Sequence, residues 1–198
     1  MQQYLVWKPL HHPGVEHLRL NIDAHGVHAS SQLMQSLRGH SIAASYGLKC
    51  DPHWQFQRLW MKVDASGQRS LDLQRDGGGN WTHNGRPRPD LAACQDVMLS
   101  ASPFTHTPAL RRCALRKGQR QVLQVAYVDL LTLDVEARSQ AYQCLGLHAG
   151  THRYLSEPQD HASSELTLDP EALLMQVSDQ YLRLSARQLD PTKPQPTA

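Results

Sequence analysis

The segment HLRLNID, residues 17–23, alternates apolar and polar side chains without a break. Leucine and isoleucine occupy positions 18, 20 and 22, and the residues between them are polar. Because successive side chains of an extended chain point to opposite faces, this period of two predicts a β-strand with one buried face. The segment RLWMKVD, residues 58–64, repeats the spacing with Leu59, Met61 and Val63.

Turn signals follow between residues 65 and 85. Ala65-Ser66-Gly67 comes directly after the second strand, and the run Asp76-Gly77-Gly78-Gly79-Asn80 holds three glycines that tolerate positive φ angles. Asn84-Gly85 after Trp81–His83 is the pair favoured in a type I′ hairpin turn. The pattern predicts a mostly β protein whose strands are mainly antiparallel.

One apolar segment, from Gln121 to Leu131, differs because both of its faces are apolar. One face carries Val122, Ala126, Val128 and Leu130, and the other carries Leu123, Val125 and Tyr127. A strand of this kind needs cover on both sides. We expect that cover to be either a helix inside a curved sheet or a partner subunit.

A helical period occurs near the end of the chain. Apolar residues recur at spacings of four, four and three, with Asp169 placed to cap and Pro170 in the first turn: Leu173, Val177, Tyr181 and Leu184. This spacing predicts a helix over residues 170–187. A second candidate helix begins at Ser102-Pro103, but Pro108 is expected to disrupt its middle.

The length and charge of the chain exclude several classes of protein. With 198 residues we expect a single domain over residues 1–189, followed by a proline-rich, disordered tail over 190–198. There are 20 basic and 18 acidic side chains, and the resulting formal charge of +2 gives no strong field for nucleic acid. We therefore expect no nucleic-acid partner.

Cysteine usage and hydropathy favour a cytoplasmic location. Cys50, Cys94, Cys113 and Cys144 stand far apart, which is typical of free thiols in a reducing compartment. The segment from Met1 to Lys8 lacks the pattern of a signal peptide. No stretch approaches the ~18 apolar residues of a membrane-spanning helix, so we expect no insertion into a membrane.

Metal and nucleophile signatures are also missing. His148-x-x-x-His152 has a helical ligand spacing, but Ala149 stands where a hydrolytic zinc site needs a glutamate. The sequence contains no G-x-S-x-G motif, and Gly77-Gly78-Gly79 lacks the lysine of a phosphate-binding loop. The sequence therefore predicts no metal site, no cofactor and no assigned catalytic residue.

The most unusual segment runs from Cys94 to Arg112 and combines a carboxylate, several hydroxyls and a double arginine. If the segment is extended, Arg111 and Arg112 point to opposite faces, so that one is partly buried and the other lies nearer solvent. A buried arginine needs a partner, and Asp96 is the nearest acidic candidate. Two interpretations stay open: a structural Arg–Asp pair, or recognition of a sugar or phosphate head group.

This segment also resembles the characteristic stretch of the bacterial putative glycolipid-binding proteins. The matching residues run without a gap as Cys94-Gln95-Asp96-Val97 and, after four further residues, as Ser102-Pro103-Phe104-Thr105-His106-Thr107-Pro108-Ala109-Leu110-Arg111-Arg112. The sequence departs from the family stretch at Met98, in place of an aspartate, and at His106, in place of an asparagine. Further similarity lies in Trp7, Gly14–Leu20, Tyr46–Asp51, Trp54, Arg58, Trp81 and Gln140-Ala141-Tyr142.

The resemblance implies a fold, a partner and a ligand class. The fold is a many-stranded, mainly antiparallel sheet rolled around a single α-helix, the partner is a second copy in a tight homodimer, and the overall shape is similar to bacterial lipoprotein-carrier domains. The candidate ligand-binding residues are Asp96, Thr105, His106, Arg111, Arg112, Trp54 and Arg58.

The sequence and the resemblance together favour non-enzymatic binding of an amphipathic, glycolipid-like small molecule by a carrier or sensor. One alternative is an enzyme of unassigned chemistry with a pocket near Asp96, His106 and the Arg111/Arg112 pair. Another is a structural dimer without a ligand. A cleft that brings Asp96 and His106 within hydrogen-bonding reach favours the enzyme, and an elongated apolar cavity favours the carrier.

Overall fold

The computed structural model describes residues 1–65 and 67–185. Within these residues the chain forms fifteen β-strands, one α-helix and two short 3₁₀ helices. The expected tail at 190–198, the domain end at 189 and the last two residues of the expected helix at 170–187 lie outside the described residues.

All of the strands belong to one sheet, and the helix lies between the ninth and tenth strands. The strands are β1 Gln2–Pro9, β2 Gly14–Asp23, β3 Gly26–Leu37, β4 His40–Cys50, β5 Phe56–Asp64, β6 Gln68–Arg75, β7 Trp81–His83, β8 Arg86–Pro87, β9 Asp96–Leu99, β10 Arg120–Val128, β11 Val135–His148, β12 Thr151–Pro158, β13 Ser164–Leu168, β14 Leu174–Val177 and β15 Tyr181–Arg183. The 3₁₀ helices are Pro89–Leu91 and Pro103–Thr105, and helix α1 is His106–Cys113.

The sheet consists of two meanders that join through the first and last strands. Its order is β8-β7-β6-β5-β4-β3-β2-β1-β15-β14-β13-β12-β11-β10-β9. Every neighbouring pair is antiparallel except β9–β10. A parallel pair needs a crossover connection, and helix α1 supplies it.

The strands predicted from alternation are confirmed. In β2 the leucines at 18 and 20 are fully buried, and in β5 the same holds for Leu59, Met61 and Val63. The hairpin after β5 and the turn at Asn84-Gly85 also form, and both turn residues have positive φ angles, 50° and 76°. Two consecutive positive values are the type I′ geometry.

The sheet curls until distant strands meet. Strands β5 and β9 contact each other although they are far apart in the strand order. The Gln35 amide of β3 donates to the carbonyl of Ala101 at 2.9 Å, and Arg69 of β6 donates to the carbonyl of Thr132 at 3.0 Å. These bonds hold the first meander against the segment before helix α1 and against the connection between β10 and β11, so the expected rolled, mostly β fold with a single helix is confirmed.

Two hydrophobic clusters lie on the two sides of β10, as its two-sided pattern predicted. Ala126 and Val128 belong to one cluster, and Leu123 and Val125 belong to the other. Most of the cover on both faces therefore comes from the chain itself, although Val122 stays 51% exposed.

The predicted helix over 170–187 is wrong, because its described part forms the hairpin β14–β15. Ala172 and Asp179 take positive φ angles, 56° and 58°, which no α-helix accommodates. Strand β15 pairs with β1, and β14 pairs with β13, so sheet hydrogen bonds replace helical ones. The apolar residues at 173, 177 and 181 are buried all the same, by packing within the sheet.

The candidate helix at Ser102-Pro103 does form, and Pro108 does not disrupt it. Pro108 is the third residue of α1, within the first turn, where backbone N–H groups have no intrahelical acceptor. Arg111 and Arg112 therefore lie on a helix and not on a strand, which corrects the expected alternation. Both arginines are half-buried, so neither is the solvent-facing member of a pair.

Candidate functional site

A pocket of about 390 Å³ lies among β9–β12, the β14–β15 hairpin and the chain between β12 and β13. We call it the His106 pocket. Its buried lining includes both apolar and polar side chains. The buried apolar residues are Met98, Leu99, Val125 and Val177, and the buried polar residues are Gln140 and Ser156. Apolar surface beside placed hydrogen-bonding groups is a common composition of a small-molecule site.

His106 begins helix α1 and lines this pocket. Its Nδ1 shares a 2.8 Å hydrogen bond with the hydroxyl of Tyr142, and the two rings meet edge to face at 83°. Burial lowers the pKa of His106 to about 4, and burial raises the pKa of Tyr142 well above its usual value. Both groups are therefore neutral near pH 7, and His106 is a hydrogen-bonding group and not a cation.

Gln140 of β11 and Ser156 of β12 form the polar wall. The Gln140 amide donates to the Ser156 hydroxyl at 2.9 Å and to the carbonyl of Ala141 at 3.0 Å. Both side chains are almost fully buried, at 4% and 3% exposed. Their mutual bond fixes both side chains and spares each the cost of burial without a partner.

The mouth of the pocket is charged. The Arg138 guanidinium lies 3.8 Å from the centre of the Tyr127 ring and 3.9 Å from the carboxylate of Asp160. Arg38, in the turn between β3 and β4, pairs with Asp129 at 3.0 Å. The pocket thus combines buried apolar and hydrogen-bonding side chains with an ionic rim.

The predicted pair of Asp96 and an arginine forms, with Arg112 as the partner. The Arg112 guanidinium donates to Asp96 Oδ2 at 2.5 Å, and the Asp96 side chain is 1% exposed. Burial raises the pKa of Asp96, while the hydrogen bond and the charge of Arg112 oppose that rise. Neither residue lines the His106 pocket, and the geometry fits the structural interpretation of the pair.

Three other candidate residues also lie outside the His106 pocket: Thr105, Trp54 and Arg111. Thr105 is fully buried, donates to the carbonyl of Ser102 at 2.9 Å and accepts from the backbone of Leu99, so it fixes the entry into α1. Arg111 lies 4.6 Å from the centre of the Trp54 ring and donates to the carbonyl of Glu171.

Arg58 lies on the outer face of β5, away from the His106 pocket. It pairs with Asp72 through two hydrogen bonds of 3.0 and 2.7 Å. In the described part of the chain, His106 is the residue that both the sequence and the pocket single out.

A buried carboxylate that the sequence did not single out lies under β2–β4. Glu16 is 0% exposed, and its Oε1 accepts hydrogen bonds from Tyr46 at 2.7 Å and from Ser31 and Ser102 at 2.8 Å. Burial raises the pKa of Glu16 to about 7, against the three hydroxyl donors. The Glu16 cluster, these four residues, links three strands to the segment before α1.

The described residues hold neither a metal-binding cluster nor a helix suited to span a membrane. In 1–65 and 67–185 no group of three or more His, Cys, Asp or Glu side chains is placed to hold a metal ion. Across the same ranges no helix is long and apolar enough to cross a membrane.

Comparison with known proteins identifies the family. Residues 4–183 match the family model described as "Putative glycolipid-binding". The chain belongs to this family. It is also similar to a crystal structure of a DUF1089 family protein from Pseudomonas aeruginosa, with 30% identity, 86% of this chain and 92% of that chain covered, and a TM-score of 0.77. No curated protein matches the chain.

Two residues of the segment that resembles the glycolipid-binding family stretch, Met98 and His106, line the pocket. The first is a buried apolar side chain, and the second supplies a hydrogen-bonding ring.

Sequence reasoning missed most of the pocket wall. Arg138, Tyr127 and Ser156 carry no motif, and they come from strands that meet only through sheet pairing. One part of the sequence did point to the pocket, because Gln140-Ala141-Tyr142 belongs to the residues that resemble the family. Gln140 lines the pocket wall, and Tyr142 is the hydrogen-bond partner of His106.

Proposed function

We propose that this protein binds an amphipathic, glycolipid-like molecule in the His106 pocket without converting it, as a carrier or sensor. One observation carries the proposal: the pocket of about 390 Å³ joins a buried apolar surface to a buried polar wall and an ionic mouth. An alkyl chain fits the surface of Met98 and Val125, and sugar hydroxyls fit the hydrogen-bonding groups of His106, Gln140 and Ser156.

The polar groups of the pocket favour binding over catalysis. A general acid or base needs a pKa near the working pH and a partner that positions it. The pKa of His106 is lowered to about 4, and its hydrogen-bond partner is a neutral tyrosine and not a carboxylate. Asp96 is bound to Arg112 away from the pocket, so the enzymatic alternative lacks its proposed acid–base pair.

The proposal includes a cytoplasmic location and a homodimer. All four cysteines are free, which fits a reducing compartment. Two apolar side chains on neighbouring strands are exposed, Val122 of β10 and Leu145 of β11, and a second copy is the partner proposed to cover them. Burial of such side chains is the main favourable contribution to most associations.

The test uses a probe whose two halves can be separated. We expect dodecyl maltoside, below its micelle-forming concentration, to bind saturably by calorimetry and to survive as a 1:1 complex per chain in native mass spectrometry. Maltose and dodecanol alone each lose one half of the contacts and are expected to bind about tenfold more weakly or worse.

A matched pair of variants assigns the site. Ala162 is exposed and lines the mouth, so Ala162→Trp should block entry without disturbing the core. Its neighbour Ser163 is equally exposed but is not part of the lining, so Ser163→Trp is the control. Loss of binding in the first variant alone supports the proposal. Equal binding by both variants, or maltose binding as tightly as the whole probe, contradicts it.

A further inference from the structure

The outer face of the first meander carries a second concavity, a groove of about 530 Å³ between β2 and β5. Small side chains form its floor: Ser30 of β3 pairs with Gly47 of β4, and Ser45 of β4 pairs with Gln32 of β3. Larger residues stand on the flanking strands, with His17 and Arg19 on β2 and Trp60 and Lys62 on β5. Four neighbouring strands place these walls about 14 Å apart.

Trp60 forms a fixed aromatic surface at one wall. Its ring lies across Gly47, where a Cβ atom would overlap the indole, and the side chain is still 43% exposed. The Arg58 guanidinium lies 5.7 Å from the ring centre. An indole held against the sheet by glycine below and arginine beside it presents apolar area at little entropic cost, and the C–H face of a sugar ring stacks on such a surface.

The two side chains with a formal charge that line the groove, Arg19 and Lys62, are both basic. Arg19 and Lys62 make no ion pair with any residue in the described ranges, and none of the described lining residues is acidic. A guanidinium and an ammonium of this kind bind phosphate or carboxylate oxygens, the first through two parallel hydrogen bonds. Hydroxyls of Ser30 and Ser45 lie on the floor between them.

We propose that this groove, the Trp60 groove, binds an anionic sugar, namely a hexose that carries a phosphate monoester or a carboxylate. The sugar ring stacks on Trp60, the anion pairs with Arg19 or Lys62, and the serine hydroxyls and the Gln32 amide bond the ring hydroxyls. The groove shares no lining residue with the His106 pocket, so this inference stands apart from the proposed function.

Glucose 6-phosphate, glucose and inorganic phosphate separate the contributions of ring and charge. We expect glucose 6-phosphate to bind saturably and to change tryptophan fluorescence, whereas glucose and inorganic phosphate each bind about tenfold more weakly or worse. A lipid headgroup offers the same chemistry as a free sugar phosphate. Vesicles of phosphatidylcholine with and without phosphatidylinositol 4-phosphate distinguish the two sources.

The charge variants and Trp60→Phe lie at exposed positions, which keeps the main test independent of folding. Arg19→Ala with Lys62→Ala should weaken glucose 6-phosphate binding about tenfold or more, while Lys8→Ala with Arg86→Ala removes the same charge outside the groove and should change it less than about twofold. Trp60→Phe keeps an aromatic surface and should retain most of the affinity. Gly47→Ala displaces the Trp60 ring without removing it and should weaken binding.

Three results would overturn the proposal. The first is the absence of saturable binding by glucose 6-phosphate and by the charged vesicles. The second is equal affinity for inorganic phosphate and glucose 6-phosphate, or unchanged binding after Arg19→Ala with Lys62→Ala. The third is a dimer that dissociates in that double variant by sedimentation, because the groove would then be an interface between copies of this chain. Ala162→Trp, which tests the His106 pocket, should leave glucose 6-phosphate binding intact.

Discussion

The guanidinium of Arg112 lies 2.5 Å from the carboxylate of Asp96, and Asp96 is 1% exposed whereas Arg112 is 18% exposed. The ion pair therefore connects the crossover helix α1 to the edge strand β9 through one fully buried acid. Asp96 Oδ1 and Arg112 Nε have no hydrogen-bond partner in the described residues, so the pair is held by a single bond. Its main effect is to keep a buried charge from being left alone.

Arg112→Ala is expected to lower the free energy of unfolding by about 3 kcal/mol near pH 8, because it leaves Asp96 buried without a counter-charge. Burial already raises the pKa of Asp96, and loss of Arg112 raises it further. A carboxyl group with a raised pKa is destabilising when ionised, so acidification toward pH 5 should recover part of the loss. Urea unfolding at several pH values measures both effects. The double variant Arg112→Ala, Asp96→Asn is the control, and an equal loss at every pH would contradict the prediction.

Arg111→Ala is expected to cost about 1–2 kcal/mol, less than the change at 112, because its partners are an aromatic face and a carbonyl and not a buried charge. Arg111→Lys should retain part of that stability. A double-mutant cycle with Trp54→Leu, followed by thermal unfolding, should give a coupling of about 0.5–1 kcal/mol. A coupling free energy near zero would show that the stacking of Arg111 on Trp54 does not contribute to stability.

Glu16→Gln is expected to remove a pH dependence from the stability. Burial raises the pKa of Glu16 from 4.5 to about 7, so the folded chain prefers the protonated form. The stability that this group contributes is complete below pH 4.5 and is lost as the pH rises through 7, in total about 3 kcal/mol. Urea unfolding of the variant and the wild type between about pH 5 and about pH 8 measures it. Glu157→Gln, which removes a partly exposed carboxylate, is the control. Identical slopes of the unfolding free energy against pH for Glu16→Gln and the wild type would refute the assignment.

His106 has the opposite pH dependence. Its pKa is lowered from 6.5 to about 4 by burial, so the stability it contributes is present above pH 6.5 and is lost as the pH falls through 4. Between about pH 5 and about pH 6.5 the slopes of Glu16 and His106 therefore oppose each other. We expect His106→Gln to become more stable on acidification in this window and Glu16→Gln to become less stable. Denaturant series on both variants should diverge, and parallel curves would exclude the compensation.

Homodimer formation is expected at micromolar concentration, because Val122 and Leu145 are 51% and 39% exposed on neighbouring strands. Val122→Ser with Leu145→Ser should weaken the dimer, whereas Met34→Ser, at an exposed apolar position on β3, should not. Sedimentation equilibrium provides the measurement. A monomer at these concentrations would leave the exposed side chains without this explanation.

The parts of the fold that follow from sequence are those with local causes. Alternation in β2 and β5 and the turn at Asn84-Gly85 depend on neighbouring residues, so they could be predicted. The segment at 170–187 could not, because its apolar spacing suits a helix while pairing of β15 with β1 decides the outcome. In this segment the local apolar spacing favours a helix, but pairing with a distant strand determines the structure.

The site was predictable to a smaller extent. The pairing of Asp96 with one of the two arginines and the candidacy of His106 followed from one contiguous segment, but the choice of Arg112 over Arg111 depended on the helix that the segment forms. The pocket wall did not, because Gln140 and Ser156 come together through pairing of β11 with β12. In the sequence, Glu16 is one polar position of an alternating strand and has no special signature. Its burial depends on hydroxyls from Tyr46 and Ser102, which are 30 and 86 residues away.

The pairing of β1 with β15 has a consequence for how the molecule assembles. Within each meander, strands pair with their neighbours in sequence, so loop closure inside a half is inexpensive. The joint between the halves has three paired positions in its register, reinforced by the Trp7 indole that donates to the carbonyl of Leu174 at 3.1 Å. Because the two halves also share a hydrophobic cluster and the Glu16 cluster, we expect them to unfold together, with the short joint exchanging its amide hydrogens before the central strands of either half.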